Sequence, residues 1–189
     1  MAITISGDSP NLTSASLTTP TLTSPTFAGT PSGSIITSMT AQASTSGTSI
    51  DFTSIPSWVK RITVMFNEVS TNGTSNVQVQ LGDSGGVEIT GYTSRAAPTA
   101  GSGTTSTTGV LVISTIAAAD ILNGMATFSL FDSATNTWVA STSLLATSTS
   151  AQFVGSAIKS LSATLDRVRI TTVNGTDTFD AGSINILYE

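Results

Sequence analysis

Cysteine and histidine are both absent from the 189 residues. Without thiols there is no disulfide, no Cys nucleophile and no zinc–thiolate centre, so the fold must hold by packing, strand pairing or oligomerisation. Without imidazole the commonest general base, the commonest transition-metal ligand and every Ser-His arrangement are excluded. Charge is scarce too: charged residues make up 9% of the chain, six basic against eleven acidic, for a net charge of −5. Lys60, Arg61, Arg95, Lys159, Arg167 and Arg169 form no cationic stripe able to neutralise a phosphate backbone, so nucleic acid is not an expected partner. No apolar run approaches the length of a membrane span. The first ten residues carry neither the basic nor the apolar region of a signal peptide, so the expectation is synthesis in a cytoplasm without a membrane partner.

What the chain has instead is hydroxyl groups. Ser and Thr supply 65 of the 189 residues, a signature of β-rich or low-complexity sequence. The length suits one main core rather than two. Two regions follow from the composition: an extended Pro/Thr/Ser-rich arm over residues 1–34, for attachment or trimerisation, and a β-domain over 35–189.

The arm holds four of the six prolines, Pro10, Pro20, Pro25 and Pro31. Leu12, Leu17, Leu22 and Phe27 recur every five residues, with Pro20 and Pro25 in one register of that pentad. Five is odd, so a flat strand of period two would send successive apolar residues to opposite faces. A chain that turns a corner at each pentad would bring them to one side. Four apolar side chains cannot offset the entropy of ordering such a segment, so order in the arm requires a partner surface, either further copies of the arm or another protein. A flexible linker is the other reading.

From Ile50 onward the pattern changes to short, β-branched, mostly alternating runs: 59–66, 76–81, 86–90, 109–114, 125–131, 137–141, 165–171 and 183–188. Between them lie Asn/Asp-Gly turn segments at 72–75, 83–86, 132–136 and 174–177, where positive φ is tolerated. The expected fold is all-β, an antiparallel β-sandwich of jelly-roll-like type. Alternation directs Val77, Val79 and Leu81 inward and Gln78 and Gln80 outward, and likewise Val168 and Ile170 against Arg167 and Arg169. Residues 113–123, with Ala117 to Leu122, suit a short helix. Residues 94–108 read as a long loop, mobile or in contact with a partner.

With no His or Cys, catalysis would rest on carboxylates. Asp83 and Glu88 flank the Gly85-Gly86 turn, a placement compatible with acid and base roles in glycoside cleavage and equally with solvated turn residues. Asn174, Asp177 and Asp180 place three oxygen-bearing side chains at three-residue spacing, usable by calcium, although the spacing fits no EF-hand loop and Asx turns account for the same residues. Neither set is assigned: the expectation is no catalytic residue, no metal and no cofactor. Trp58, Tyr92, Trp138 and Tyr188 are candidates for stacking on a sugar, and Trp58, Tyr92 and Trp138, with Arg95 in the long loop, for a glycan contact or a subunit interface. For the two Trp residues the core is the competing position.

The run Leu17 to Phe27, LTTPTLTSPTF, resembles the Thr/Pro/Leu repeats of tailed-phage fibre and head-surface proteins. Ile55 to Phe66 (IPSWVKRITVMF), Val79 to Gly86 (VQLGDSGG) and Leu165 to Glu189 resemble a C-terminal β module of the same kind of phage protein. Residues 92–159 carry no such resemblance. The resemblance implies a jelly-roll-like virion knob, usually homotrimeric, with no catalytic residues to transfer. Three functions are then in view. The first is a capsid decoration, cement or head-fibre protein whose arm docks on the major capsid protein or another virion protein, the capsid surface being favoured over the tail. The second is a tail-fibre tip that binds a host surface glycan. The third is a carbohydrate-degrading enzyme using Asp83 and Glu88.

Overall fold

The computed structural model describes residues 36–118, 120–147 and 150–189. The pentad positions Leu12, Leu17, Pro20, Leu22, Pro25 and Phe27 lie outside the described residues.

Fourteen strands form: β1 (Thr37–Ser38), β2 (Gln42–Ala43), β3 (Ser49–Phe52), β4 (Arg61–Thr71), β5 (Val77–Asp83), β6 (Gly86–Val87), β7 (Tyr92–Pro98), β8 (Thr104–Ser106), β9 (Val110–Leu111), β10 (Leu122–Asp132), β11 (Thr137–Ala146), β12 (Ala151–Ser160), β13 (Leu165–Thr172) and β14 (Phe179–Tyr188). The fold is an all-β sandwich, as the alternation predicts, and every strand pairing is antiparallel. The large sheet runs β1-β14-β4-β10-β11-β12-β7-β8, with β2 also on β14. The small sheet runs β3-β13-β5-β6, with β9 on β5. The chain crosses repeatedly between the two: β2 to β3, β3 to β4, β4 to β5, β6 to β7, β8 to β9, β9 to β10, β12 to β13 and β13 to β14 each change sheet.

One apolar core fills the space between the sheets. Ile62, Val64, Phe128, Leu144 and Phe153 enter from the large sheet, and Phe52, Val79, Leu81, Val168 and Ile170 from the small one. The turns form where Asn, Asp and Gly allow them. Asn136 and Gly175 both take positive φ, and no helix occurs among the described residues.

Each of the eight expected strand segments contributes a strand, but two readings need correction, one further strand was not expected, and one outward row proves to be covered. The described residues of 113–123 are not helical: Val112 and Ile113 are buried, the Asp120 N–H donates to the Ala117 carbonyl, and β10 starts at Leu122. Residues 94–98 of the expected loop belong to β7, and 104–106 form β8. Strand β12 carries no apolar alternation strong enough to announce it, because its inward positions are Phe153, Gly155, Ala157 and Lys159. Finally, Gln78 and Gln80 do point away from the core, yet they are 1% and 5% exposed. Residues 106–108 lie over them: Gln80 Nε2 donates to the Thr108 carbonyl at 2.9 Å, and the Thr108 hydroxyl donates to Gln78 Oε1 at 3.1 Å.

Candidate functional site

Asp83 ends β5, and Glu88 follows β6 after the tight turn through Gly85 and Gly86. The structure does bring these two carboxylates to one place, but it gives both of them fixed partners. Asp83 Oδ2 accepts the Ser162 hydroxyl at 2.6 Å and Oδ1 accepts the Gly85 N–H at 2.7 Å. Glu88 Oε1 accepts the Ser162 N–H at 2.7 Å, and its other oxygen pairs with the Lys159 ammonium. Lys159 is nearly buried and lies 5.2 Å from the centre of the Tyr92 ring. The Ser162 hydroxyl, then the Gly85 N–H, hold the Asp83 carboxyl below its ordinary value. Burial pushes the Glu88 carboxyl up, but Lys159 and Ser162 together outweigh it and the net direction is down. Each carboxylate is engaged through both of its oxygens. They clasp the β5–β6 hairpin of the small sheet to the segment that leaves β12 of the large one.

Of the three oxygen-bearing residues at 174–180, Asn174 and Asp177 come into contact. Asn174 Oδ1 accepts the N–H groups of Thr176 and Asp177 and the Thr172 hydroxyl. Asp177 accepts the Asn174 side-chain amide at 2.6 Å and the Ser75 N–H at 2.9 Å, which lowers its pKa. These are Asx-turn contacts that join two turns. Asp180 belongs to β14, and no group of three His, Cys, Asp or Glu residues able to hold a metal occurs among the described residues.

The four aromatic and arginine candidates divide. Tyr92 and Trp138 are 2% and 3% exposed. Both point inward between the sheets, which corrects the expectation that they offer a stacking surface or an interface. The Tyr92 hydroxyl accepts the Leu81 N–H at 2.7 Å and donates to the Glu88 carbonyl at 2.9 Å. Burial in turn pushes the phenol pKa far up. Trp58 is 54% exposed, in the loop before β4, and its ring centre lies 5.7 Å from that of Tyr188. Arg95 points outward from β7 and is exposed. Three other cations are paired: Arg61 with Glu189, Arg167 with Asp166, and Arg169 with Asp51 in a bidentate contact at 2.7 and 3.0 Å.

A surface that sequence reading did not single out is the outward face of β10, β11 and β12. Strand register sets its rows. Met125, Ser143 and Val154 lie abreast, as do Ser129, Val139 and Ile158, with Leu145 beside Asn123 and Gln152. Met125, Val139, Leu145, Val154 and Ile158 are between 37% and 50% exposed. No outward position in the body of these three strands is charged, because Lys159 turns inward and Asp132 lies at the turn. In β11 the sequence alternates Trp138, Ala140, Thr142 and Leu144 with Val139, Ser141, Ser143 and Leu145. Alternation alone does not say which set faces the core.

Comparison with protein families, with curated proteins and with solved structures returned no match for this chain.

Proposed function

We propose that this chain is a structural protein of a tailed-phage virion. In this reading it is a homotrimeric capsid decoration, cement or head-fibre protein, whose residues 1–34 attach to the major capsid protein or another virion protein and whose jelly-roll-like β-domain projects outward. The observation that carries the proposal is the division of labour among polar groups. The carboxylates that an enzyme of this composition would use are tied into structural contacts, while a broad uncharged sheet face is left exposed. A scaffold for assembly needs that arrangement, and a catalyst does not. The regular pentads of the arm and the resemblance of both ends of the domain to phage surface proteins support the same reading.

Labelling of purified virions with an antibody against the β-domain, read by electron microscopy, tests the location. Label over the capsid is expected, and label confined to the tail overturns the decoration reading. Light scattering of the full-length protein tests the oligomer, with a trimer mass expected and a monomer at all working concentrations refuting it. One observation favours a second reading, the tail-fibre tip: Trp58 is exposed beside Tyr188, an arrangement suited to stacking on a saccharide ring. Binding to a glycan array that Trp58→Ala abolishes would establish that alternative.

A further inference from the structure

We infer that Trp58, Arg61, Tyr188 and Glu189, at the end of the large sheet where β14, β4 and β10 lie side by side, form a binding site for a neutral hexose-type saccharide. The inference deepens the glycan-binding reading and rests on it: it names the class of sugar and the residues that hold it.

The placement of the aromatic rings is uneven. Among the described residues, every Phe, Tyr and Trp is buried except Trp58, Phe131 and Tyr188. All three lie at one end of the molecule. Trp58 precedes β4, Tyr188 ends β14, and Phe131, 74% exposed, stands at the bulge near the end of β10. The Leu130 N–H donates to the Lys60 carbonyl at 2.8 Å, which sets that end of β10 alongside the Trp58 turn. The turn itself is fixed: Ile55 and Val59 on either side are buried, the Ile55 N–H donates to the Asp166 carbonyl at 2.8 Å, and the Val59 N–H donates to the Pro56 carbonyl. A ring presented on rigid backbone loses little entropy when a ligand stacks on it.

Beside the rings is a hollow of about 170 Å³, and Tyr188 belongs to both, since it lines the hollow and its ring meets that of Trp58. Apolar Leu187 shares the lining with polar Thr63, Thr127, Arg61 and Glu189. The volume is below the roughly 300 Å³ at which drug-sized sites begin, so it suits one ring rather than the flank of another protein.

A pyranose is likewise two-sided, with C–H groups on its faces and hydroxyls around its rim. The C–H face suits an aromatic ring, and the rim suits Glu189 as acceptor and Arg61 as donor. Charge then selects the class. Arg61 and Glu189 pair with each other, and reciprocal backbone hydrogen bonds at 2.9 and 3.0 Å hold the two residues together. An anionic ligand must displace Glu189 from Arg61, and a cationic one must displace Arg61. Vicinal hydroxyls of a neutral sugar bridge the two and leave the pair intact.

The test is a glycan array probed with the full-length protein, carrying neutral hexose oligosaccharides beside sialylated and uronate-containing ones, followed by calorimetric titration of the best neutral binder. Binding confined to neutral glycans is expected. Trp58→Ala and Glu189→Ala should each weaken it at least about tenfold, and Ile89→Ala, at an exposed residue after β6, should leave it unchanged. An unchanged β-sheet spectrum checks the fold; if Trp58→Ala loses that spectrum, Arg61→Ala replaces it, with the same expectation. Preference for the charged glycans overturns the neutral class and leaves a glycan-binding protein. Neutral binding at wild-type affinity in either site variant overturns this site and leaves glycan binding to another surface. No binding to any glycan overturns the site together with the glycan reading.

Discussion

The hydroxyl of Tyr92 on the large sheet accepts the backbone N–H of Leu81 on the small sheet, at 2.7 Å in the buried interior. This hydrogen bond crosses the sandwich and satisfies the Leu81 N–H just where the β5–β6 pairing ends at Gly82 and Val87. Tyr92→Phe keeps the ring and removes the acceptor. The expected loss is about 1–3 kcal/mol of unfolding free energy, measured by denaturant titration. An unchanged midpoint would show that the Leu81 N–H finds another partner.

The carboxyls of Asp83 and Glu88 both sit below their ordinary values in the fold. Their stabilising contribution is therefore complete above the usual carboxylate range and is lost as pH falls through the lowered folded values. Stability should be nearly flat from neutral pH to about pH 5 and decline below about pH 4. Asp83→Asn should make that decline shallower, because the Ser162 and Gly85 contacts no longer discriminate between protonation states. A wild type and a variant with identical acid limbs would refute this account.

Gly182 takes φ +86 at the double bulge where β14 passes β4, and a Cβ there would overlap the backbone carbonyl of Glu68. Glu68 itself has positive φ at the same place. Both the conformation and the space demand glycine, so Gly182→Ala should cost at least about 1 kcal/mol. Thermal unfolding is the measurement, and a variant as stable as the wild type would show that the bulge can shift register.

Arg169 and Asp51 make a well-formed bidentate pair, but both side chains are more than a third exposed. Solvent screening limits such a pair. Arg169→Ala should change stability by no more than about 1 kcal/mol, and raised salt should shrink even that difference. A larger, salt-insensitive loss would mean that the aliphatic stem of Arg169, rather than its charge, supports the sheet.

The fold class was legible because β5 and β13 announce themselves: Val77, Val79 and Leu81, and Val168 and Ile170, alternate with polar residues and bury the apolar set. Strands β7 and β12 were not legible. Their core-facing positions are occupied by Tyr92, Ser94 and Ala96, and by Phe153, Gly155, Ala157 and Lys159, so small or polar residues stand where an apolar row would mark a strand. Lys159 is tolerated there because Glu88, 71 residues away in sequence, meets its charge. The helical reading of 113–123 failed because local propensity of the Ala run was overridden by burial of Val112 and Ile113 in the sandwich. Among the candidate residues, spacing correctly placed Asp83 near Glu88. It could not reveal Ser162, whose side chain and backbone occupy both carboxylates.

The outermost strands of the two sheets are short: β1 has two residues and β8 three at the margins of the large sheet, and β3 has four and β6 two at those of the small one. Each leaves too little open backbone to template an incoming strand. A protein this rich in β structure and this poor in charge would otherwise be prone to edge-to-edge growth into fibres. Among the described residues, brevity at the margins limits that growth.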